Sequence, residues 1–193
     1  MIVIVDYGMG NLGSVLKSLK RIKTDAKLST CADDILNADK LILPGVGHFS
    51  NGMKKLSDLG YIEILNEKVL NQKVPILGIC LGMQLFAKYS EEGSVEGLSW
   101  LDADVVKFDI EDKFKYKVPQ MGWNSVKINK KNQLLNKVAE NELFYFVHSY
   151  HMVCRDLEDI LTTTNYSYNF TSSVQKDNIF GTQFHPEKSH DWG

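Results

Sequence analysis

The sequence predicts an α/β fold: a mostly parallel central sheet with helices on both faces and additional antiparallel strands. Three observations predict it. Short β-branched runs alternate with helix-period segments through the first half of the chain. Those runs are apolar on consecutive residues, the mark of strands covered on both faces. The second half holds several strand-like runs with no long helical segment between them.

The elements follow in order. Ile2 to Val5 is the first strand. Leu12, Val15, Leu16, Leu19 and Ile22 then recur at helical spacing, with Lys17, Lys20, Arg21 and Lys23 on the opposite face. Leu41-Ile42-Leu43 is a second buried run, stopped by Pro44-Gly45. Tyr61 to Asn71 is again amphipathic. Val74-Pro75-Ile76-Leu77 is a third strand, which passes through Gly78-Ile79-Cys80-Leu81-Gly82 into a helix reaching towards Tyr89. Strand, helix, strand, helix implies parallel pairing. Further on, 105–108, 125–128 and 143–147 read as strands, and Phe170 to Gln175, a 176–178 turn and Ile179 to Phe184 read as a hairpin. No internal repeat, low-complexity tract or linker divides the 193 residues, so one domain over 1–193 is expected.

Composition excludes several classes. A net charge of −2 gives no electrostatic case for nucleic acid or an anionic membrane. The three cysteines, Cys31, Cys80 and Cys154, form no CxxC pair, which argues against a disulfide framework or a zinc site and for a reducing compartment. Asp6 interrupts the apolar start after a few residues, without a basic flank or a cleavage pattern. No segment approaches the roughly 18 apolar residues of a membrane span. A soluble cytoplasmic protein is expected, with no metal and no cofactor. Gly8-Met9-Gly10-Asn11-Leu12-Gly13 does match the dinucleotide fingerprint G-x-G-x-x-G. It is discounted, because Asp6 and Tyr7 precede the first glycine and a carboxylate there would repel a pyrophosphate.

The segment Gly78-Ile79-Cys80-Leu81-Gly82 has the form of a nucleophile elbow with sulfur in place of oxygen. A reversal from strand into helix that tight leaves no room for side chains two before and two after the nucleophile. The sulfur would stand at the carboxyl edge of the sheet, where open α/β folds bind ligands. The helix start beyond it favours thiolate, and such sites bring cysteine to ~3.5–7.5. The Leu81 amide would face an oxyanion. Cys80 could instead be a small buried hydrophobe, but the strand before it, the helix after it and both glycines favour the nucleophile.

His185 ends an apolar strand and is followed by Pro186-Glu187, which fits a base and its orienting carboxylate. A surface histidine in a turn is the plainer reading of His185 alone, and it is the one kept for His48, His151 and His190. Pro44-Gly45-Val46-Gly47 reads either as a second oxyanion donor or as a plain turn.

Gly-Ile-Cys-Leu-Gly-Met-Gln, Pro-Gly-Val-Gly and His-Pro-Glu-Lys-Ser together resemble the class I (triad) glutamine amidotransferases. Asp-Tyr-Gly-Met-Gly-Asn-Leu at 6–12, Met-Gly-Trp-Asn at 121–124 and Tyr-Phe-Val-His-Ser-Tyr at 145–150 narrow the resemblance to the glutaminase subunits of imidazole glycerol phosphate synthases. The motifs span nearly the whole chain. The resemblance implies a flavodoxin-like three-layer fold and hydrolysis of L-glutamine to glutamate and ammonia through a Cys80 thioester, with His185 as proton shuttle and Glu187 holding it. It implies an oxyanion hole from Leu81 and the Val46–Gly47 strand, which needs reorientation to be complete. It places Gln84, His148, Ser149 and Tyr150 around the amino-acid end of glutamine. It also implies a (β/α)₈-barrel cyclase partner that receives the ammonia, with Asn11, Trp123, Tyr145 and Lys188 at or near that interface. For Trp123 and Tyr145 core packing is the competing expectation. Products would be imidazole glycerol phosphate and an aminoimidazole carboxamide ribotide.

Two departures stand out. Gln120 replaces the histidine usual in Pro-His-Met-Gly-Trp-Asn, which opens an alternative: a paralogue whose ammonia goes to a sugar-amidating enzyme of surface polysaccharide synthesis. The 193 residues also end soon after the Glu187 motif, where relatives usually add a terminal helix. Outside this family, a cysteine hydrolase or peptidase shares the Cys-His logic, and a binding module would need neither residue.

Overall fold

The computed structural model describes residues 1–130, 132–139, 142–190 and 193. The chain opens with β1 (Ile2–Val5), α1 (Leu12–Arg21), β2 (Ala26–Ser29), α2 (Ala32–Leu36) and β3 (Lys40–Gly45). There follow α3 (Phe49–Asp58), α4 (Tyr61–Asn66) running into a π turn (Glu67–Asn71), β4 (Ile76–Cys80) and α5 (Leu81–Gln84). Strands then dominate: β5 (Tyr89–Ser90), β6 (Val95–Glu96), β7 (Ala103–Lys107), β8 (Gln120–Ser125), β9 (Lys127–Ile128), β10 (Leu143–His148) and β11 (Tyr150–Cys154). β12 (Ile160–Tyr166), β13 (Tyr168–Lys176) and β14 (Ile179–Thr182) complete them.

The main sheet runs β2-β1-β3-β4-β14-β13-β11-β7-β5-β6, with β12 and β9 branching from β13. β2, β1, β3, β4 and β14 are mutually parallel. β14 to β13, β13 to β11 and β11 to β7 are antiparallel, so the second half extends the parallel core as the sequence predicts. β8 and β10 form a separate antiparallel ladder.

Alternation along the parallel strands creates three layers. Ile4, Ile42 and Ile79 pack with Val15 of α1 and with its Leu12, Leu16 and Leu19 on one face. Val3, Val5, Leu41 and Leu43 turn to the other face, against Ile35 of α2, Leu56 of α3 and Leu65 of α4. A third cluster of Phe108, Phe144, Phe146, Phe170 and Phe184 fills the junction between the antiparallel strands and the β8–β10 ladder. The helix predicted from Leu12 to Ile22 forms as α1, capped by Asn11 Oδ1, which accepts from the Ser14 amide at 3.4 Å. Lys20 and Arg21 close its last turn, where cations suit the dipole.

Three expectations need correction. The helix after Cys80 does not reach Tyr89: α5 is a single turn, and Tyr89 already belongs to β5. The run 179–184 ends as strand at Thr182. The run 125–128 is split at Val126 between two strands.

Among the described residues, no helix is long and apolar enough to cross a membrane.

Candidate active site

The carboxyl ends of β3, β4 and β14 lie side by side and carry the chemistry. Register sets Gly45 opposite Cys80 and Thr182 opposite Ile79, so the residues just beyond Thr182 stand beside the sulfur. Cys80 has φ 54° and ψ −109°, a conformation L-residues rarely hold. The flanking glycines do relieve collisions, though not with each other. A Cβ on Gly78 would come within 2.6 Å of the Phe86 ring and 2.7 Å of the Met83 amide nitrogen. A Cβ on Gly82 would land on the Leu43 carbonyl oxygen. Because α5 is one turn long, its dipole is small, and the local N–H groups of Leu81 and Gly82 matter more than a macrodipole.

A cavity of about 200 Å³ opens above the elbow, lined by Val46, Gly47, Cys80, Leu81, Gln84, Glu92, Val147, His148, Ser149, Tyr150 and His185. The structure therefore brings together in one place the predicted nucleophile, histidine, oxyanion segment and glutamine pocket. Its size suits a ligand smaller than the occupants of the usual ~300–1,000 Å³ sites. Gly47 takes φ +105° at the rim, and Val46 is exposed there.

His185 is 1 % exposed. Its Nδ1 donates to Glu187 Oε1 at 2.8 Å, a span of two residues made possible by the tight turn Pro186–Lys188. Burial works against protonating this ring, but contact with the Cys80 sulfur and the Glu187 carboxylate outweighs it and pushes the pKa up to about 9. Nε2 is buried and has no hydrogen-bond partner among the described residues, and the Cys80 sulfur lies close to the ring. Glu187 Oε2 is likewise buried and unbonded. The 187 carbonyl accepts from Ser18 Oγ at 3.3 Å, tying the turn to α1.

His148 sits in the same cavity with the opposite electrostatics. Its Nδ1 donates to the Tyr150 carbonyl at 2.7 Å, Nε2 is unbonded, and Phe108, Phe146 and Phe170 surround the ring. Burial drives its pKa down to about 3 despite the carbonyl bond. His151, expected at the surface, is instead buried in β11, with Nε2 on the Tyr168 hydroxyl at 2.9 Å. The strand places it inward, a position no local turn signal betrays. His48 and His190 are exposed as expected.

Three residues not singled out in the sequence join the site. Gln183 Nε2 donates to Cys80 Sγ at 3.6 Å. Glu92 Oε2 accepts from the Phe49 amide at 2.8 Å at the start of α3. Tyr7 is buried beyond β1 with an unbonded hydroxyl, its pKa raised by burial and then by Cys80. A polar Gln183 inside the apolar run Ile179–Phe184 was the available signal.

The four residues expected at a partner surface divide. Trp123 is 41 % exposed, stacks on His190 at 4.9 Å and meets Tyr145 edge-on at 5.7 Å. Lys188 Nζ lies 5.8 Å from the Tyr145 ring centre. With Met121, 65 % exposed, these make a patch on the β8–β10 ladder. Asn11, exposed at the start of α1, caps that helix.

The family model for class-I glutamine amidotransferases matches residues 3–192. Imidazole glycerol phosphate synthase subunit HisH 2 of Methanococcus maripaludis is 53 % identical, over all of this chain and 95 % of that protein. Subunit HisH 2 of Pseudomonas aeruginosa is 49 % identical over the same shares. A crystal structure of a glutamine amidotransferase superposes with TM-score 0.74 at 18 % identity, over 98 % of this chain and 92 % of that one, a likeness of fold. The chain belongs to the class-I glutamine amidotransferases and, within them, to the family of HisH subunits.

The buried histidines make stability pH-dependent with opposite signs. His148 is lowered from 6.5 to about 3, so the unfolded chain takes up its proton first, and stability falls as pH drops through that window. His185 is raised from 6.5 to about 9, so its contribution is full below 6.5 and is lost as pH rises through 9. Urea unfolding across pH should show both limbs. His148→Phe should weaken the acid limb without removing it, since burial lowers His151 too; an unchanged acid limb would contradict this assignment.

Proposed function

We propose that this chain is a single class-I glutamine amidotransferase domain acting as the glutaminase subunit of imidazole glycerol phosphate synthase. The observation that carries the reading is one cavity lined by Cys80, His185 and Gln84 together with 148–150, with Glu187 bound to the far nitrogen of His185. The chemistry follows from the positions. The Cys80 proton passes to His185 and the sulfur attacks the side-chain carbonyl carbon of glutamine. Negative charge on the carbonyl oxygen is met by the Leu81 amide and by an amide of the Val46–Gly47 strand. The C–N bond breaks as His185, which holds its proton firmly beside Glu187, gives that proton to the departing ammonia. His185 then takes a proton from water, hydroxide displaces sulfur from the thioester, and glutamate leaves with the thiol restored.

Glu187 supplies orientation and charge. It fixes the tautomer with Nε2 towards the cavity, the arrangement a two-way proton carrier needs. Gln84, His148, Ser149 and Tyr150 surround the amino-acid end of the substrate. His148 stays neutral there, so it offers a lone pair without adding charge.

The ammonia is passed to a (β/α)₈-barrel cyclase that makes imidazole glycerol phosphate. Trp123, Tyr145 and Lys188 form the centre of the docking face and Asn11 its edge. An exposed Trp braced by neighbouring rings is the usual character of an interface anchor. The names of the two HisH relatives support this acceptor and neither refers to sugar amidation, so Gln120 is read as a variation within the family. Gly47, with its unusual φ, is the point about which the oxyanion strand turns when the partner engages.

Two measurements test the reading. Cys80→Ala should lower glutamine hydrolysis by the assembled synthase about 10³-fold or more, as in other triads, with the cyclase still turning over on added ammonia. Retained glutamine hydrolysis would refute the nucleophile. Trp123→Ala should weaken partner binding by about 2 kcal/mol or more in calorimetry; unchanged affinity would remove that face from the interface.

A further inference from the structure

Gln183 follows the last residue of β14, and the parallel register with β4 sets it beside Cys80. Its side chain is fully buried. Nε2 donates to Cys80 Sγ at 3.6 Å, and Oε1 accepts from Gln84 Nε2 at 2.9 Å. The direction of these bonds is fixed from outside the pair. Gln84 Nε2 also donates to the Tyr150 carbonyl at 2.9 Å, and a backbone carbonyl only accepts. Gln84 must therefore present nitrogen to both neighbours, Gln183 must answer with oxygen, and the nitrogen of Gln183 is left for the sulfur.

We propose that Gln183 is a positioning residue for the nucleophile: a neutral amide donor, oriented through Gln84 by the Tyr150 carbonyl, that holds the Cys80 sulfur for attack and favours its negative form. Its effect on turnover rests on the glutaminase reading above; its effect on the sulfur does not.

The physical case is a comparison of donors. A hydrogen bond to a charged acceptor is roughly twice as strong as one to a neutral acceptor, so an N–H aimed at sulfur stabilises thiolate over thiol. A cation would do so more strongly, but would also pull on the proton that His185 must carry both ways. The amide adds no titration of its own. The titratable groups around the sulfur among the described residues are His185 beyond β14 and Tyr7 beyond β1, with Glu187 acting through His185 and with Glu92 and His148 on the wall of the same cavity. The same chain of bonds runs from the substrate pocket, at Gln84 and Tyr150, to the reacting atom.

The test is the pH profile of Cys80 alkylation by iodoacetamide, read by mass spectrometry in a Cys31→Ser background. Cys31 is exposed and would compete, whereas Cys154 is buried and pushed up to about 12 by burial and Asp159. Gln183→Met keeps bulk and removes the donor. It should move the alkylation midpoint up by about one pH unit and lower kcat for glutamine about tenfold, with KM changed much less. A side chain that only packs would leave the midpoint at its wild-type value, and that result overturns the proposal. Gln183→Glu keeps an acceptor for Gln84 but sets a carboxyl oxygen against the sulfur. It should raise the midpoint at least as far, and it carries the test if the Met variant does not fold; an unchanged midpoint there is equally fatal. A shifted midpoint in a protein that releases no glutamate from glutamine would support the role of Gln183 and refute the glutaminase reading instead.

Discussion

The α-carbon of Gly82 lies so close to the Leu43 carbonyl oxygen that any β-carbon would overlap it. That contact lets the chain leave β4, reverse at Cys80 and enter α5 within a few residues. A side chain at 82 would push α5 away from β3, lifting the sulfur off the sheet edge. Gly78 has the same role beneath the turn, where Phe86 fills the space a β-carbon would need. The strain held at Cys80, a non-glycine residue at positive φ, persists because packing on both sides over-determines it. The parallel order β3-β4-β14 then delivers Gly45, Cys80 and the residues after Thr182 to one edge. Residues far apart in sequence meet there without a dedicated loop.

Two buried imidazoles share one cavity and have opposite character, and this separation assigns their parts. His185 faces a carboxylate and a sulfur and holds its proton to about pH 9. His148 faces phenyl rings and a carbonyl and refuses a proton until about pH 3. Neighbours that push two titratable groups apart mark the one that moves protons and the one that only binds. Neither depends on solvent, since both are buried. The backbone carbonyl of Glu187 accepts from Ser18 of α1, so the turn that carries His185 and Glu187 is held by the helical layer as well as by its own strand.

Much of this was legible in the sequence, and the residues say why. Ile2–Val5, Leu41–Leu43 and Ile76–Leu77 are apolar on consecutive positions because each strand feeds both layers. The elbow and the His185-Pro186-Glu187 turn are local motifs whose geometry is dictated within a few residues. β2 escaped notice because it is an edge strand, with Lys27 and Leu28 exposed, and lacks the run of apolar residues that marks its neighbours. The short α5 could not be read from Met83 to Ala87, which suit a helix. Their burial comes from a turn packed under Trp100, whose ring stacks on Phe86 at 4.9 Å. His151 and Gln183 were obscured for a related reason: each is a polar residue, one within a strand and one just past a strand's end, whose inward partner, Tyr168 or Cys80, is chosen by long-range pairing.

The central claim is that the sulfur at the bend, backed by His185, attacks the side-chain carbonyl carbon of a glutamine seated in the cavity above it. A chloroketone analogue of glutamine tests that claim directly, because it needs the same pocket and the same nucleophile. Intact-mass analysis and peptide mapping should find one adduct, on Cys80, whose formation is suppressed by excess L-glutamine and lost in His185→Asn. An adduct on Cys31 alone, or labelling of Cys80 that glutamine does not slow, would contradict the account.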